Sequence, residues 1–445
     1  MPCSANRLRG RVIPKRSFMK KKSKANRINV VTLGCSKNVV DSEHVMAQLE
    51  TAGYEVVFDS NDNDAATVVI NTCGFIGDAK EAKSEGLIDR LFVIGCLSER
   101  YADELRAEIP EVDDYFGARD FRGIVERLAG AWRPELATAR HLTTPAHYAY
   151  LKISEGCNWR CAYCAIPLIR GGHVSVPMEQ VVREAEELAR GGVKELIVVA
   201  QDTTFYGVDL YGERKLAELL RRLAAIDGVE WIRLHYTYPT GFPQEVIDVM
   251  RDEPKVCRYI DIPLQHIADT QLSAMRRGIT KERTIALLDR LRREVPGIAI
   301  RTTLMVGFPG ETEADFAELE EFVREQRFDR LGVFPYSAEE GTPSAEMADD
   351  VPEEVKQARV ERIMKLQQEI SLQNNLRRVG ETYRVIVDRR EGDFYVARTE
   401  FDSPEVDEEI LIPAAGGTLH PGEFRTVRIT DAEEYDLYGE LVAEG

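Results

Sequence analysis

Three cysteines stand close together in this 445-residue chain, at positions Cys157, Cys161 and Cys164. The apolar run 149–154 just before them predicts a strand, so the cysteines fall in the loop where that strand ends. Three thiolates in one loop can hold three corners of a cubane iron–sulfur cluster and leave its fourth iron open to a small molecule. A zinc site would need a second pair of ligands, and no Cys or His pair follows. The alternative is a set of buried or redox cysteines without a metal.

Six strand-and-helix repeats include this loop. The predicted strands, which alternate with helical patterns, cover 149–154, 195–200, 231–236, 258–262, 298–306 and 331–336. Six repeats are too few for a closed eight-stranded barrel. We therefore expect a partial (β/α)6 barrel whose gap admits a large substrate. This domain would span 143–378 and end with an amphipathic connecting helix.

The region 28–135 predicts a separate, open parallel α/β sheet. Three of its Val- and Ile-rich runs end at Cys35, Cys73 and Cys96, each beside a glycine. Ligands collect beyond the carboxyl ends of the strands in such sheets, so we expect one shared site that holds a second cluster. The alternative is that free cysteine is a common core residue. Asp41 or Ser42 is the expected N-cap of the helix after Cys35.

The two ends of the chain differ in charge and in predicted secondary structure. Residues 379–445 show short alternating strands at 383–388, 394–398, 410–412 and 426–430, which predict a small antiparallel β-barrel. The same residues carry seventeen acidic and six basic side chains. Residues 1–27 contain basic but no acidic side chains and predict a disordered leader.

No apolar run approaches the ~20 residues that span a bilayer. Eight cysteines in so long a chain suit metal ligation in a reducing cytoplasm.

Five short motifs occur in a specific order along the chain. They are Leu33-Gly34-Cys35-Ser36-Lys37-Asn38, Asn71-Thr72-Cys73-Gly74-Phe75, Gly95-Cys96, Ser154-Glu155-Gly156-Cys157 and Gly307-Phe308-Pro309-Gly310-Glu311-Thr312. This set resembles the methylthiotransferases, a family of radical S-adenosylmethionine (SAM) enzymes. The resemblance extends from about residue 28 to the end of the chain. It implies an N-terminal methylthiotransferase domain, a radical SAM core and a C-terminal TRAM β-barrel.

The resemblance also implies two 4Fe–4S clusters and SAM as cofactors. The first cysteine triad would bind an auxiliary cluster, and the second would bind the cluster that SAM chelates. One SAM would give a methyl group and another the radical, so that the product carries a C–S–CH₃ group. Tyr163 is expected to lie against the adenine of SAM, with polar groups at strand ends and a glycine turn around the rest. The expected SAM-binding residues are Tyr163, Gln201, Asp202, Thr203, Arg301 and Gly307.

Two branches of the family differ in substrate, and charge separates them. One branch modifies adenosine in tRNA, and the other an aspartate β-carbon in small-subunit ribosomal protein twelve. An RNA-binding barrel should be basic, whereas an acidic barrel attracts a lysine- and arginine-rich protein. The segments Ser403-Pro404-Glu405-Val406-Asp407 and Glu434-Tyr435-Asp436-Leu437-Tyr438-Gly439 also resemble the ribosomal-protein branch. Mainly from this resemblance, we expect the ribosomal protein as substrate, in the cytoplasm and away from any membrane, with a flavodoxin- or ferredoxin-type electron donor and a sulfur source. One alternative substrate is tRNA. Another alternative is a non-catalytic iron–sulfur or ribosome-binding protein. The connection 76–90 between the Cys73 loop and the strand before Cys96 favours it, because this connection is shorter than is usual in the family.

Overall fold

The computed structural model describes residues 24–60, 64–72, 83–84 and 86–442. Cys73 and most of the connection 76–90 lie outside the described residues, as do residues 1–23 of the predicted leader. The first strand begins at Lys24, so residues 24–27 belong to a sheet. In the described part of the chain, no helix combines the length and apolarity needed to cross a bilayer.

The first domain is a parallel sheet flanked by helices. Its elements are β1 (Lys24–Leu33), α1 (Ser36–Thr51), β2 (Glu55–Phe58), β3 (Ala65–Thr72), β4 (Arg90–Gly95), α2 (Cys96–Glu108), β5 (Asp114–Gly117) and α3 (Phe121–Ala129). All strands pair parallel in the order β2–β1–β3–β4–β5. The strand order reverses at β1 and β3, and the crevice beyond their carboxyl ends is where such sheets bind ligands. The expected open α/β sheet is confirmed.

Helix α1 begins earlier than the sequence predicts. Its first residue is Ser36 and its N-cap is Cys35, so the expected N-caps Asp41 and Ser42 are wrong. Both residues are buried inside the helix. The Ser42 hydroxyl bonds to Thr32 Oγ1 at 2.7 Å, and Asp41 pairs with a buried arginine. These polar side chains make tertiary contacts instead of capping, and Cys35 lies at the start of the helix.

The core domain follows with six parallel strands in one sheet. Its strands and the short hairpin β7–β8 are β6 (Tyr148–Lys152), β7 (Ser154–Glu155), β8 (Val174–Ser175), β9 (Glu195–Val199), β10 (Trp231–Leu234), β11 (Val256–Asp261), β12 (Ala299–Val306) and β13 (Arg330–Pro335). The order β13–β12–β11–β10–β9–β6 leaves β6 and β13 as the two edges. The sheet is therefore open, and the expected partial barrel is confirmed.

Among the described residues, six helices bury a continuous apolar core against this sheet. They are α5 (Met178–Arg190), α7 (Leu216–Ala224), α8 (Gln244–Asp252), α10 (Lys281–Glu294), α11 (Glu313–Gln326) and the connecting helix α12 (Glu353–Leu376). The shorter helices α4 (Ile166–Arg170), α6 (Val208–Tyr211) and α9 (Asp269–Ala274) lie in the loops between these elements. Ile363, Leu366 and Ile370 of α12 pack into the same core, which confirms its apolar stripe.

The C-terminal domain is a closed five-stranded barrel. Its strands are β14 (Thr382–Glu391), β15 (Phe394–Thr399), β16 (Glu409–Pro413), β17 (Phe424–Ala432) and β18 (Asp436–Leu441). The pairs are antiparallel except β16–β18, which is parallel and closes the barrel. Strand β18 was not among the predicted strands. A Cβ at Gly439, in the middle of β18, would lie 2.4 Å from Val427 Cγ1, so glycine allows β17 and β18 to approach closely.

The core domain meets its two neighbours at opposite ends of its strands. At the carboxyl ends, Lys37 of the first domain lies with its Nζ 3.4 Å from the centroid of the Tyr236 ring. At the amino ends, Arg398 of the C-terminal barrel pairs with Glu195, the first residue of β9, at 2.5 Å. Ligands of parallel barrels bind at the carboxyl ends, so the first domain covers the chemically relevant mouth.

Candidate active site

The loop that carries Cys157 is held in shape by a glycine turn. Gly156 has φ +76°, and a Cβ there would lie 2.0 Å from the carbonyl oxygen of Gly172. The Cys157 N–H donates to the carbonyl of Gly171 at 3.0 Å, beside the antiparallel pair β7–β8. Only glycine fits this approach without strain. The turn therefore fixes how the three cysteines leave the sheet.

The thiols of this loop are partly or fully buried, and Cys157 and Cys164 are unfavourable as isolated thiolates. Burial raises the pKa of Cys157 to about 12 and also raises the pKa of Cys164, and both feel the charge of Cys161. Like charges in a buried site need a cation, which a cluster supplies. Within the described residues no three His, Cys, Asp or Glu side chains converge on a single metal ion. A cubane does not require this, since each thiolate binds a different iron. The donor set therefore fits a cluster.

An aromatic and basic group lies beside Cys161. The Tyr238 hydroxyl is 3.4 Å from Cys161 Sγ, and the Trp159 ring stacks on Tyr238 with centroids 4.1 Å apart. Arg277 Nη1 donates to Cys161 Sγ at 3.5 Å and to the Tyr163 hydroxyl at 3.2 Å. Trp159, Tyr238 and Arg277 were not predicted as site residues. The position of Trp159 inside the triad was the one signal in the sequence that could have found this group.

Tyr163 and Gln201, two of the predicted SAM contacts, lie next to the triad. Tyr163 is buried in a cluster that includes Met305 and Phe308. Gln201 Nε2 donates to Glu155 Oε1 at 2.5 Å, and its Oε1 is buried without a hydrogen-bond partner among the described residues. A buried acceptor left unpaired is unfavourable, so this oxygen suits a ligand that brings an N–H donor. The amino group of SAM is such a donor, and the contact stays a prediction.

Asp202 and Thr203 hold the loop after β9. Asp202 accepts hydrogen bonds from Trp159 Nε1 at 2.6 Å and from the Thr204 N–H at 2.8 Å. The Thr203 hydroxyl donates to the carbonyl of His235 at 2.9 Å. These contacts orient the Trp159 ring and the strand end. They give both residues a positioning role beside the triad, while their contact with SAM stays a prediction.

Arg301 and Gly307 lie on and after β12. Arg301 lies within this strand, not at its end as expected, and pairs with Asp261 at 3.4 Å and with Asp407 of the C-terminal barrel at 3.3 Å. Gly307 has φ +71°, and a Cβ there would lie 2.3 Å from Lys356 Cγ. Its close approach is thus to helix α12. SAM binding by these two residues stays a prediction.

Cys35 and Cys96 lie beyond the carboxyl ends of β1 and β4. Arg170 Nη2 donates to Cys96 Sγ at 3.4 Å and to Asn38 Oδ1 at 2.6 Å, and Cys35 Sγ donates to the same Asn38 oxygen at 3.5 Å. The two thiols are therefore linked through the Asn38 amide and the Arg170 guanidinium. Burial raises the pKa of Cys96, and Arg170 opposes this shift. Cys73, the third expected ligand, lies outside the described residues.

The strand ends beside Cys96 are closely packed. Gly95 has φ +122°, and a Cβ there would lie 2.6 Å from the carbonyl oxygen of Thr72 and 2.8 Å from Asn71 Oδ1. Thr72 is the last residue of β3 and directly precedes Cys73 in the sequence. A glycine therefore lets the ends of β3 and β4 meet where the shared site is expected. The thiols at β1 and β4 fit a cluster site at this edge, and three-thiolate ligation stays a prediction.

Known families divide the chain into the same three parts. Residues 27–117 match the Uncharacterized protein family UPF0004, residues 151–323 the Radical SAM superfamily, and residues 379–442 the TRAM domain. A radical SAM methyltransferase, TsrM from Kitasatospora setae, has a similar fold, with a TM-score of 0.55 over 72% of this chain and 77% of that chain at 16% sequence identity. The fold is that of a radical SAM protein with an added domain at each end of its core.

Relatives of high similarity extend along nearly the whole chain. The ribosomal protein uS12 methylthiotransferase RimO of Flavobacterium johnsoniae is 54% identical and covers 94% of this chain and 99% of its own length. The RimO protein of Bacteroides fragilis is also 54% identical, over 94% of this chain and 100% of its own. The chain belongs to the RimO family of radical SAM methylthiotransferases.

Proposed function

We propose that this chain adds a methylthio group to the β-carbon of an aspartate in ribosomal protein uS12. The observation that carries the proposal is the position of Cys96 beside the loop of the second triad, in a member of this family. Arg170 of the core touches Cys96 Sγ and also Glu155, which stands two residues before Cys157. A site for carrying sulfur and a site for cleaving SAM would thus face one mouth.

The described residues suggest how the cofactors would be held. Cys157, Cys161 and Cys164 would hold the cluster that SAM chelates, and Cys35, Cys73 and Cys96 would hold a second 4Fe–4S cluster. When bound, the cluster at Cys157, Cys161 and Cys164 supplies the electron that cleaves SAM, and the cluster at Cys35, Cys73 and Cys96 offers an iron to which sulfur can bind. Gln201 would accept a hydrogen bond from the SAM amino group. The stacked rings of Trp159 and Tyr238 would exclude water from the triad. An electron donor of the flavodoxin or ferredoxin type and a sulfur source complete the reaction.

The charge of the C-terminal barrel supports a protein substrate. Its 67 terminal residues carry seventeen acidic and six basic side chains. Five of the six arginines are already paired with carboxylates, and these are Arg384, Arg389, Arg398, Arg425 and Arg428. Neutralised arginines offer little to RNA phosphates, whereas an acidic surface attracts a basic ribosomal protein. We accordingly place the reaction in the cytoplasm, with the ribosomal protein free or in its subunit.

Anaerobic reconstitution tests the proposal directly. The protein, loaded with iron and sulfide, is incubated with SAM, a strong reductant, sulfide and purified uS12. Mass spectrometry should find one aspartate heavier by one sulfur and one methylene. The same mixture with uS12 carrying Asn in place of that aspartate is the control and should show no gain.

Two results would contradict the proposal in different ways. Formation of 5′-deoxyadenosine without modified uS12 would indicate another substrate, and tRNA would be tested next. If SAM were not cleaved although both clusters were present, the chain would not be an active enzyme of this class.

A further inference from the structure

Arg170, the last residue of α4, is a buried cation between the two cysteine sites. Its side chain is 2% exposed. One terminal nitrogen, Nη2, donates to Cys96 Sγ at 3.4 Å and to Asn38 Oδ1 at 2.6 Å. The other, Nη1, donates to Asp41 Oδ2 at 3.1 Å and to Glu155 Oε2 at 2.9 Å. A single guanidinium therefore joins the first domain to the loop that leads into the second triad.

The contacts continue from Arg170 toward the expected SAM site. Glu155 uses its second oxygen, Oε1, to accept a hydrogen bond from Gln201 Nε2 at 2.5 Å. Cys96 is thus connected through Arg170 and Glu155 to Gln201, whose own oxygen is buried without a partner among the described residues. Each link is a part-buried hydrogen bond in which one partner is charged, and such bonds are stronger than bonds between neutral groups.

We propose that Arg170 is a positioning residue, which holds Cys96 in register with the Cys157 triad and raises the reduction potential of the cluster that Cys96 would ligate. The inference rests on the proposed function, because it requires that cluster. An N–H donor to a ligating sulfur, like a nearby positive charge, stabilises the negative charge that reduction adds. Arg170 supplies both at Cys96. Its planar fork can make these four contacts together, which a lysine ammonium at the same position cannot do.

Lys152 offers a matched control on the same carboxylates. Its Nζ pairs with Asp41 and, at 2.9 Å, with Glu155, the two carboxylates that Arg170 contacts. No contact of Lys152 with a cysteine is found among the described residues. Replacing Lys152 therefore disturbs the same ion cluster and the same domain contact without removing a donor to sulfur.

The test is a redox titration of the cluster in the first domain. Full-length chains with Cys157, Cys161 and Cys164 replaced by Ala are reconstituted, so that only this cluster is present, and its potential is followed by electron paramagnetic resonance. R170Q should shift the potential to a more negative value, R170K should shift it less, and K152M should leave it unchanged. If R170Q lost its iron while R170K kept a cluster at a shifted potential, the role would also be supported.

A second experiment uses the chain with both triads and tests whether Cys96 keeps its position relative to the Cys157 triad. R170Q should yield less methylthiolated uS12 for each 5′-deoxyadenosine formed, whereas K152M should keep the ratio of the unchanged protein. An unchanged potential and an unchanged ratio in R170Q would overturn the role of Arg170 and leave the proposed function standing. Absence of any cluster in the parent chain lacking the second triad would instead overturn the proposed function, and the role of Arg170 with it.

Discussion

A buried arginine joins the core domain to its neighbouring domain at each end of the core strands, but the two arginines contact different kinds of group. At the amino ends, Arg398 of the C-terminal barrel lies between Glu195 at 2.5 Å and Asp388 at 2.7 Å. At the carboxyl ends, Arg170 contacts two carboxylates as well and, in addition, the Cys96 thiol. Domain assembly alone accounts for the contacts of Arg398. Domain assembly does not account for the hydrogen bond that Arg170 donates to Cys96. The carboxyl end therefore holds the domains together and also positions a thiol of the expected cluster site.

The largest effects are expected from separating the two cysteine sites. Cys157→Ala should abolish both 5′-deoxyadenosine formation and methylthiolation, because SAM cleavage needs the second triad. Cys96→Ala should abolish methylthiolation and leave 5′-deoxyadenosine formation in place. Both products are measured by liquid chromatography and mass spectrometry on reconstituted protein. Cys257→Ala is the control, since this buried cysteine packs with Trp231 and Tyr259 far along the strand from the mouth, and both activities should persist.

Retention of methylthiolation in Cys96→Ala would show that Cys96 has no part in the reaction. The contact of Arg170 with Cys96 would then be a packing contact, and the two ends of the core would differ only in their neighbours.

The second effect concerns stability at the amino end. Glu195 is fully buried and lies between Arg233 at 2.7 Å and Arg398 at 2.5 Å. Glu195→Gln leaves two buried guanidiniums without this carboxylate and should destabilise barrel docking by about 3–5 kcal/mol. Hydrogen exchange in β14–β18 measures this. The half-exposed pair Glu230–Arg384, at 2.7 Å, joins the same two domains, and Glu230→Gln should change protection by less than ~1 kcal/mol.

Equal effects of Glu195→Gln and Glu230→Gln would mean that burial of the charges does not decide the strength of this interface. The prediction would also be wrong if Glu195→Gln abolished methylthiolation while barrel protection stayed unchanged.

The third effect concerns another contact between the first domain and the core, one without a thiol. Glu43 of α1 accepts hydrogen bonds from Arg140 Nε at 2.9 Å and from the Thr143 N–H at 2.7 Å, and Arg140 also pairs with Glu184 of the core at 2.6 Å. Glu43→Gln should destabilise the first domain by about 1–3 kcal/mol, less than Glu195→Gln, because Glu184 still compensates Arg140. Thermal unfolding of the two variants compares them. The cluster potential should not change, which separates this contact from that of Arg170.

Periodicity and strand-end rules predicted the open sheets, the small C-terminal barrel and the positions of Cys35 and Cys96 at strand ends. They work because apolar runs report burial and parallel strands share one ligand-binding edge. The same rules say nothing of which polar groups meet: Arg170 reaches Asn38 from 132 positions away. Asp41 was misread as an N-cap for that reason, since its buried partner is unseen in the sequence. Strand β18 was missed because Gly439, needed for close approach to β17, weakens the strand pattern.

The fourth effect is a pH dependence that differs in sign between the ends. Burial raises the pKa of Glu311, beside Arg359 at the carboxyl end, to about 7. At the amino end burial would raise the pKa of Asp388 too, but Arg398 and His147 outweigh it, so this pKa lies below its usual value. Between about pH 4.5 and 7 the folded chain binds more protons at Glu311 than the unfolded chain. This contribution therefore lowers stability as pH rises, by up to ~3 kcal/mol.

Asp388 adds no slope in that window, because it is ionised in both states there, and its stabilisation is lost only as pH falls below its usual value of about 4. Thermal unfolding across this range should thus show a smaller fall in stability with rising pH in Glu311→Gln than in the unchanged chain. Asp388→Asn should lower stability throughout this pH range and keep the slope. An identical slope in Glu311→Gln would show that the buried carboxylate at the carboxyl end is as well compensated as Asp388, and the electrostatic difference between the two ends would then be confined to Cys96.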